Sequence, residues 1–251
     1  MVSGMNTQTL ERGAPERTLK RVTGWLLVLE GLLIYVPLVI LGAAIGWPAS
    51  LGEPASVNLP LLVSERPTVL LGYTVYLLYS VLFWPVSYLT ARVVSRGPKG
   101  KARALTGLAS GFGVGSAVLR TLGIIRWLVP MQFLADVWVA PTTTDGTRET
   151  LSLLYETLNA YAGSVGELLG VSLFAALWAG LVSVAIFRTG ALPRWFGGFG
   201  VVTTALLALP LLEIVGIDTV LLITVSGVAF SLWLVTMGGA LLVQTRKGTT
   251  S

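Results

Sequence analysis

The sequence predicts an all-α integral membrane protein: a bundle of six transmembrane helices with its N- and C-termini in the cytoplasm. Three observations carry that prediction. Six mostly apolar stretches of about 20 or more residues follow one another, each long enough to cross a ~30 Å hydrocarbon core at ~1.5 Å per residue. Hydrophobic residues make up 54% of the chain and charged residues only 12%, with a mean hydropathy of +0.79. Soluble domains carry about 25% charged residues. The segments between the stretches alternate in Lys and Arg content, which sets orientation because these residues resist translocation.

The elements follow in order. Residues 1–21 form a cytoplasmic tail. Glu11, Arg12, Glu16, Arg17, Lys20 and Arg21 make it too polar for the apolar region of a signal peptide. The next stretch is too long for such a region and lacks a clear small-residue cleavage site, so 22–45 reads as a retained first span. In 46–68, Pro48, Pro54, Pro60 and Pro67 lack amide donors and are expected to keep the segment irregular. Trp47 suits an interfacial anchor. The second span is 69–94. A short basic turn, SRGPKGKARA over 95–104, leads to the third span, 105–129. The segment 130–162 is the longest between spans. Asp145-Gly146 is expected to mark a turn there, with a threonine capping the helix that follows. Residues 151–162 are amphipathic, with Glu156 and Asn159 set against Leu153, Leu154, Leu158 and Tyr161. Two placements stay open: a helix in the outer interface, or an outward extension of the fourth span. The fourth, fifth and sixth spans are 163–187, 195–215 and 219–243, followed by a cytoplasmic tail, 244–251. No linker and no second composition block interrupts 22–243, which reads as one transmembrane domain.

With the N-terminus inside, the inner segments hold Arg12, Arg17, Lys20, Arg21, Arg92, Arg96, Lys99, Lys101, Arg103, Arg188, Arg194, Arg246 and Lys247. These are 13 of the 17 basic residues. The outer segments hold Arg66 and Arg148. An odd number of spans would break the pattern. The formal charge of +5 does not point to nucleic acid, because the basic residues flank apolar spans, where orientation and anionic lipid account for them. The placement implies an inner (cytoplasmic) membrane. Membrane lipids are the expected partners, with a second copy of the chain or another membrane protein beside them.

Cysteine and histidine are absent, which excludes disulfides and thiolate sites and removes the commonest ligands of zinc, copper and haem. Every lysine lies outside the spans, so a retinal Schiff base has no attachment point within the bundle. The sequence therefore assigns no catalytic residue, no metal and no cofactor.

Gly107, Gly111 and Gly115 recur every four residues in the third span, a pattern that lets another helix approach closely. The enclosed G-x-G-x-G is not a dinucleotide loop, since no strand precedes it and it would lie within the membrane. Gly166 and Gly170 repeat the packing pattern in the fourth span. Pro37, Pro85 and Pro210 are expected to kink their helices. Tyr73, Tyr76, Tyr79 or Ser80, and Phe83 form an aromatic stripe at helical spacing. It reads as packing plus an outer aromatic belt, with a pocket for an apolar ligand as the alternative.

Glu30, Arg120, Arg126 and Glu167 are the candidate polar site within the membrane, where a charge costs about 2.5–3.5 kcal/mol on insertion scales. Arg126 and Glu167 lie near the outer ends of their spans, within reach of the interface. Arg120 lies six residues, ~9 Å, deeper. At about 100° per residue, Arg126 falls near the glycine face and Arg120 almost opposite it. Arg126 is thus the expected partner of Glu167, and Arg120 becomes the alternative if the helix bends at Gly123. Glu30 lies ~12 Å into the first span. Ser87, Thr90, Thr203, Thr204 and Thr236 share its depth. A proton or cation site and a neutral, packing carboxyl are the two readings, of which the second is preferred.

Phe187-Arg188-Thr189-Gly190-Ala191-Leu192-Pro193-Arg194-Trp195-Phe196-Gly197 resembles the element F/Y-R-S/T-G-x-L-P-R-W/I-x-G of a bacterial family catalogued as domain of unknown function 4386. In that family it joins two consecutive spans. Leu119-Arg120-Thr121 through Arg126-Trp127 is similar to the family's third span. The resemblance implies six or seven spans and brings no established activity. Mechanically, Gly190 ends one helix and Pro193 starts the next, while Arg188 and Arg194 hold the turn at the cytoplasmic headgroups.

Three functional classes remain. The first is a non-enzymatic membrane protein of structural, sensory or accessory type. The second is a small transporter or ion-coupled carrier using Glu30 and the Arg120, Arg126 and Glu167 set. The third is a lipid-directed membrane enzyme. Missing His and Cys and the lack of a clustered acidic motif weigh against the enzyme. The lack of inverted repeats or paired broken helices weighs against the carrier. The first class is preferred.

Overall fold

The computed structural model describes residues 5–217 and 219–247, with side chains described from residue 15 to 246 apart from 218 and 220. The side chains of Arg12 and Lys247, both used above for orientation, lie outside the described residues. Ten α-helices account for most of them: α1 (Met5–Leu33), α2 (Tyr35–Ile45), α3 (Ala55–Ser64), α4 (Arg66–Val94), α5 (Arg103–Leu128), α6 (Pro130–Val139), α7 (Asp145–Gly163), α8 (Ala176–Thr189), α9 (Arg194–Ala208) and α10 (Val220–Lys247). Short 3₁₀ segments cover Ala49–Gly52 and Leu209–Val215, and a π-helix covers Ser164–Ala175. A two-residue antiparallel ribbon pairs Arg96–Gly97 with Gly100–Lys101.

Six continuous or near-continuous helical runs are long and apolar enough to cross a membrane: Pro15–Ile45, Arg66–Val94, Arg103–Val139, Asp145–Thr189, Arg194–Val215 and Leu221–Arg246. Large apolar side chains stand exposed along them, Val39, Leu78 and Phe133 among them. That exposure is the mark of a surface made for lipid rather than water. The protein is an all-α, multi-pass membrane protein.

The chain divides into two compact units. One comprises Met1–Leu32, Pro85–Val114 and Ala176–Ser251. Here α8 packs on α9, and α9 on α10. Trp178 and Trp233, both fully buried, meet edge to face at 5.7 Å. Each indole N–H finds a carbonyl, Trp178 donating to Ser87 O (3.2 Å) and Trp233 to Phe196 O (3.0 Å). Such partners are what a buried indole needs. Gly24 and Gly238 let α1 and α10 touch: a Cβ on Gly238 would lie 2.6 Å from Gly24 O.

The turn over 188–194 belongs to this unit. Gly190 has φ +64°, a left-handed conformation that glycine adopts without steric cost, and its N–H bonds Ile186 O to close α8. Pro193 occupies the extended cap position immediately before α9, one residue ahead of the expected first helical position. Arg188 and Arg194 are exposed. Thr189 donates to Val94 O (2.6 Å), and its own carbonyl accepts from Lys99 N–H (3.0 Å), which ties the turn to the ribbon.

The second unit comprises Leu33–Trp84 and Gly115–Ala175. Its core gathers Leu41, Leu59, Leu62, Val69, Tyr73, Trp127, Met131, Leu134 and Tyr155. The proline-rich segment 46–68 is not irregular as expected, because Ala55–Ser64 is helical. Its buried positions Ala55, Asn58, Leu59 and Leu62 form one helical stripe, and packing of that stripe against α6 outweighs the donor lost at Pro60. Asn58 is the polar tie, donating to Ser50 O (2.6 Å) and Tyr155 Oη (2.6 Å). Asp145-Gly146 is likewise no turn. It forms the first turn of α7, capped by Thr144, whose Oγ1 accepts from Thr147 N–H (3.2 Å). Residues 151–162 continue the helical run into the fourth span.

Candidate functional site

Arg120, Arg126 and Glu167 come together in the second unit. Arg120 and Arg126 are each only 5% exposed. The approach begins with two glycines. A Cβ on Gly123 would lie 2.6 Å from the Gly166 Cα, so α5 and the π-helix meet backbone to backbone. That contact sets Arg126 opposite Glu167, with Nη2 to Oε1 at 3.6 Å. Arg126 also donates from Nη1 to Gly123 O (3.2 Å), and its guanidinium lies 5.4 Å from the Trp127 ring centroid. It is therefore packed inside and does not reach out to the interface, which was the alternative to its expected pairing with Glu167. Glu167 keeps 40% of its side chain exposed.

Arg120 needs no bend to be accommodated, because α5 runs through Gly123 as one helix. Its stem lies along Gly170, where a Cβ would come within 3.0 Å of Arg120 Cγ. Its guanidinium faces Tyr79 at 4.4 Å and Phe83 at 4.9 Å. Both distances lie within the range where a cation is attracted by a ring face. The tyrosine stripe of α4 consequently turns inward: Tyr73, Tyr79, Ser80 and Phe83 are buried, which fits the packing half of the expectation and not the outer-belt half. Tyr73 stacks on Trp127 at 5.3 Å and 3°, and Trp47 meets Tyr76 edge to face at 5.5 Å. Between these groups lies a cavity of about 30 Å³, lined in part by Tyr73, Tyr76, Arg120, Arg126 and Glu167. A water needs ~10–15 Å³ measured in this way, so the space suits one or two waters.

Glu30 lies apart from this set in the sequence division, in the first unit, and is fully buried. Ser87, Thr90 and Thr203 are also fully buried there, while Thr204 and Thr236 are spent on their own helices, Thr204 donating to Gly200 O (2.7 Å) and Thr236 to Leu232 O (2.8 Å).

The glycine stripe requires a correction. Gly107 and Gly111 are exposed, and among the described residues nothing lies within 4 Å of the Cβ either would carry. Gly115 alone of the three is close-packed, against the Phe174 ring. Four residues advance about 400°, so each step rotates the stripe ~40° and the third member turns into a contact the first two lack. Gly113, which the fourfold spacing skips, is in fact buried against Ser87 and Trp178.

The π-helix is what sequence reasoning missed. Twelve residues of i→i+5 geometry carry Gly166, Glu167 and Gly170, where such geometry usually lasts one turn and often marks a functional site. Ser116 donates to the Gly170 carbonyl (2.7 Å), supporting the segment from α5. Gly123, Gly166 and Gly170 together with Ser116 were the available signal: small residues at facing positions of two spans.

Residues 7–238 match a family model described as domain of unknown function (DUF4386). No curated protein and no solved structure matches the chain. The match covers nearly the whole sequence, including both arginine-bearing elements singled out above, and the chain belongs to that family.

Proposed function

We propose that this is a non-enzymatic protein of the bacterial cytoplasmic membrane, with both termini inside and a structural, sensory or accessory role. One observation carries the reading: the charges of the Arg120, Arg126 and Glu167 set are engaged in holding helices together. Arg126 is bound to a backbone carbonyl, a carboxylate and a ring, and Arg120 is held against two rings. The cavity they line, about 30 Å³, is far smaller than the ~300–1,000 Å³ of ordinary ligand sites. The full burial of Glu30 fits the same architectural use. Membrane lipids are the constant partners. A second copy or another membrane protein is the partner a sensory or accessory role requires.

The carrier is the reading to test against. Purified protein in liposomes should pass no more protons or sodium than empty liposomes under an imposed potential. A flux that Glu30→Gln abolishes would overturn the proposal in favour of ion-coupled transport. Orientation is tested separately. Reporters fused after Arg21, Lys101, Arg194 and Lys247 should all read cytoplasmic, and a translocated signal at either middle position would reverse the topology.

A further inference from the structure

We propose that the middle of α1, residues 17–25, and the C-terminal end of α10 form a binding site for the phosphate headgroup of an anionic membrane phospholipid. The helices touch at Gly24 and Gly238. Beyond that contact, on the side of both chain ends, lies a recess of about 520 Å³, within the size range of ordinary ligand sites.

Its lining has the chemistry of a phospholipid. Arg17, Arg21 and Trp25 follow one another at four-residue spacing along α1, so they share one face. Leu242, Thr245 and Arg246 do the same on α10, at spacings of three and four. The two faces meet across the recess. Arg17, Arg21 and Arg246 line it with Thr18 and Thr245, and among the described residues no carboxylate does. The adjacent Glu16 is engaged with Lys20 at 3.8 Å. A guanidinium fork matches phosphate oxygens two at a time, which makes arginine well suited to phosphate recognition. Trp25, 56% exposed, and Leu242 form the part nearest the apolar span. An amphipathic indole belongs at headgroup depth, with acyl chains beside it. Soluble phosphate would use the arginines and leave the tryptophan and leucine without purpose, which is why the source is lipid. This inference is independent of the role proposed above, since its readout is lipid retention and not flux.

Native mass spectrometry of the full chain released from detergent tests it. Phosphatidylglycerol should remain bound where phosphatidylcholine with the same acyl chains does not. Arg21→Gln with Arg246→Gln should lower retention about tenfold, in line with charge-assisted hydrogen bonds lost to phosphate. Arg21→Gln alone should lower it less. Lys20→Gln removes the same charge outside the recess and should change retention less than twofold. Equal retention of the two lipids, or equal losses in Lys20→Gln and the arginine variants, would overturn the site. Displacement of the lipid by an equal concentration of glycerol 3-phosphate would overturn its assignment to lipid.

Discussion

The two units bury polar groups in different ways. The first unit buries Glu30 and uses small hydroxyls, some across helices, as Thr189 to Val94 O (2.6 Å), and some within one helix: Ser183 donates to Ala179 O (2.8 Å) and Thr204 to Gly200 O (2.7 Å). A bond within one helix costs the fold little and says nothing about which helix packs next to it. The second unit buries guanidinium groups, which no single helix can accommodate. Arg120 takes its ring faces from α4, and Arg126 its carboxylate from the π-helix. A buried cation therefore fixes the order and rotation of its neighbours, where a hydroxyl bonded within its own helix does not. The expected consequence is that substitutions in the second unit disturb the fold more, and in a more coupled way, than those in the first.

The largest effect should come from the contact that brings the cations into place. Gly123→Leu would drive a side chain into the Gly166 backbone, which no rotamer change relieves. Overpacking of this kind costs about 3 kcal/mol or more when backbone must move. Thermal unfolding in detergent should show the variant unfolded or lowered by ~10 °C or more, and a wild-type melting curve would mean that α5 and the π-helix are not in contact.

Next comes the pair itself. Arg126→Gln removes a buried donor to Gly123 O and should cost ~2–3 kcal/mol. Glu167 is 40% exposed, so water shares its charge and Glu167→Gln should cost only ~1 kcal/mol. The double variant should fall short of the sum by about 0.5–1.5 kcal/mol. Strict additivity in that cycle would dissolve the pair and, with it, the contrast between the units.

The first unit offers a milder test. Trp178→Phe removes the donor to Ser87 O and part of a fully buried ring system, without stranding a charge. The expected cost is ~1–2 kcal/mol, from one hydrogen bond and a reduced aromatic contact. A coupling above ~1 kcal/mol between this change and the hydroxyl variant Ser183→Ala would show that the hydroxyls of the first unit orient neighbours after all.

How far these features could be read from the chain depends on what each one obeys. Spans follow length and apolarity, which are local and unambiguous, so six were legible. Charges within them were legible too, because their rarity in lipid draws attention to Glu30, Arg120, Arg126 and Glu167. Rotation was less so. Reading Arg120 and Arg126 at 100° per residue assumes that both facing helices are α-helical, and α5 is, but the Glu167 segment is a π-helix. Its wider turn shifts every later residue off the α-helical angle. The tyrosine stripe was visible as a stripe, but its direction was not, since rings suit a lipid interface and a buried cation equally. Helicity of 55–64 was hidden by Pro54 and Pro60, whose local cost was visible while the gain from burying Leu59 and Leu62 was tertiary.

The smallest expected effect is also the sharpest on packing. Gly111 has the spacing of a helix contact, yet among the described residues nothing lies within 4 Å of its absent side chain. Gly111→Leu should therefore not clash. Replacing glycine inside a helix by leucine removes a propensity penalty of roughly 0.8–1 kcal/mol, and any hydration cost is slight on a face that meets lipid. The melting temperature should stay the same or rise by a few degrees. Gly107→Leu should behave alike, since Gly107 is equally open. A loss above ~1 kcal/mol in either variant would mean that something outside this chain covers the face. If the loss also grew on dilution, the covering partner would be a second copy, because only a bimolecular contact is weakened by dilution. In that case the fourfold glycine spacing would encode assembly between chains, and the packing within each chain would rest on Gly113 and Gly115.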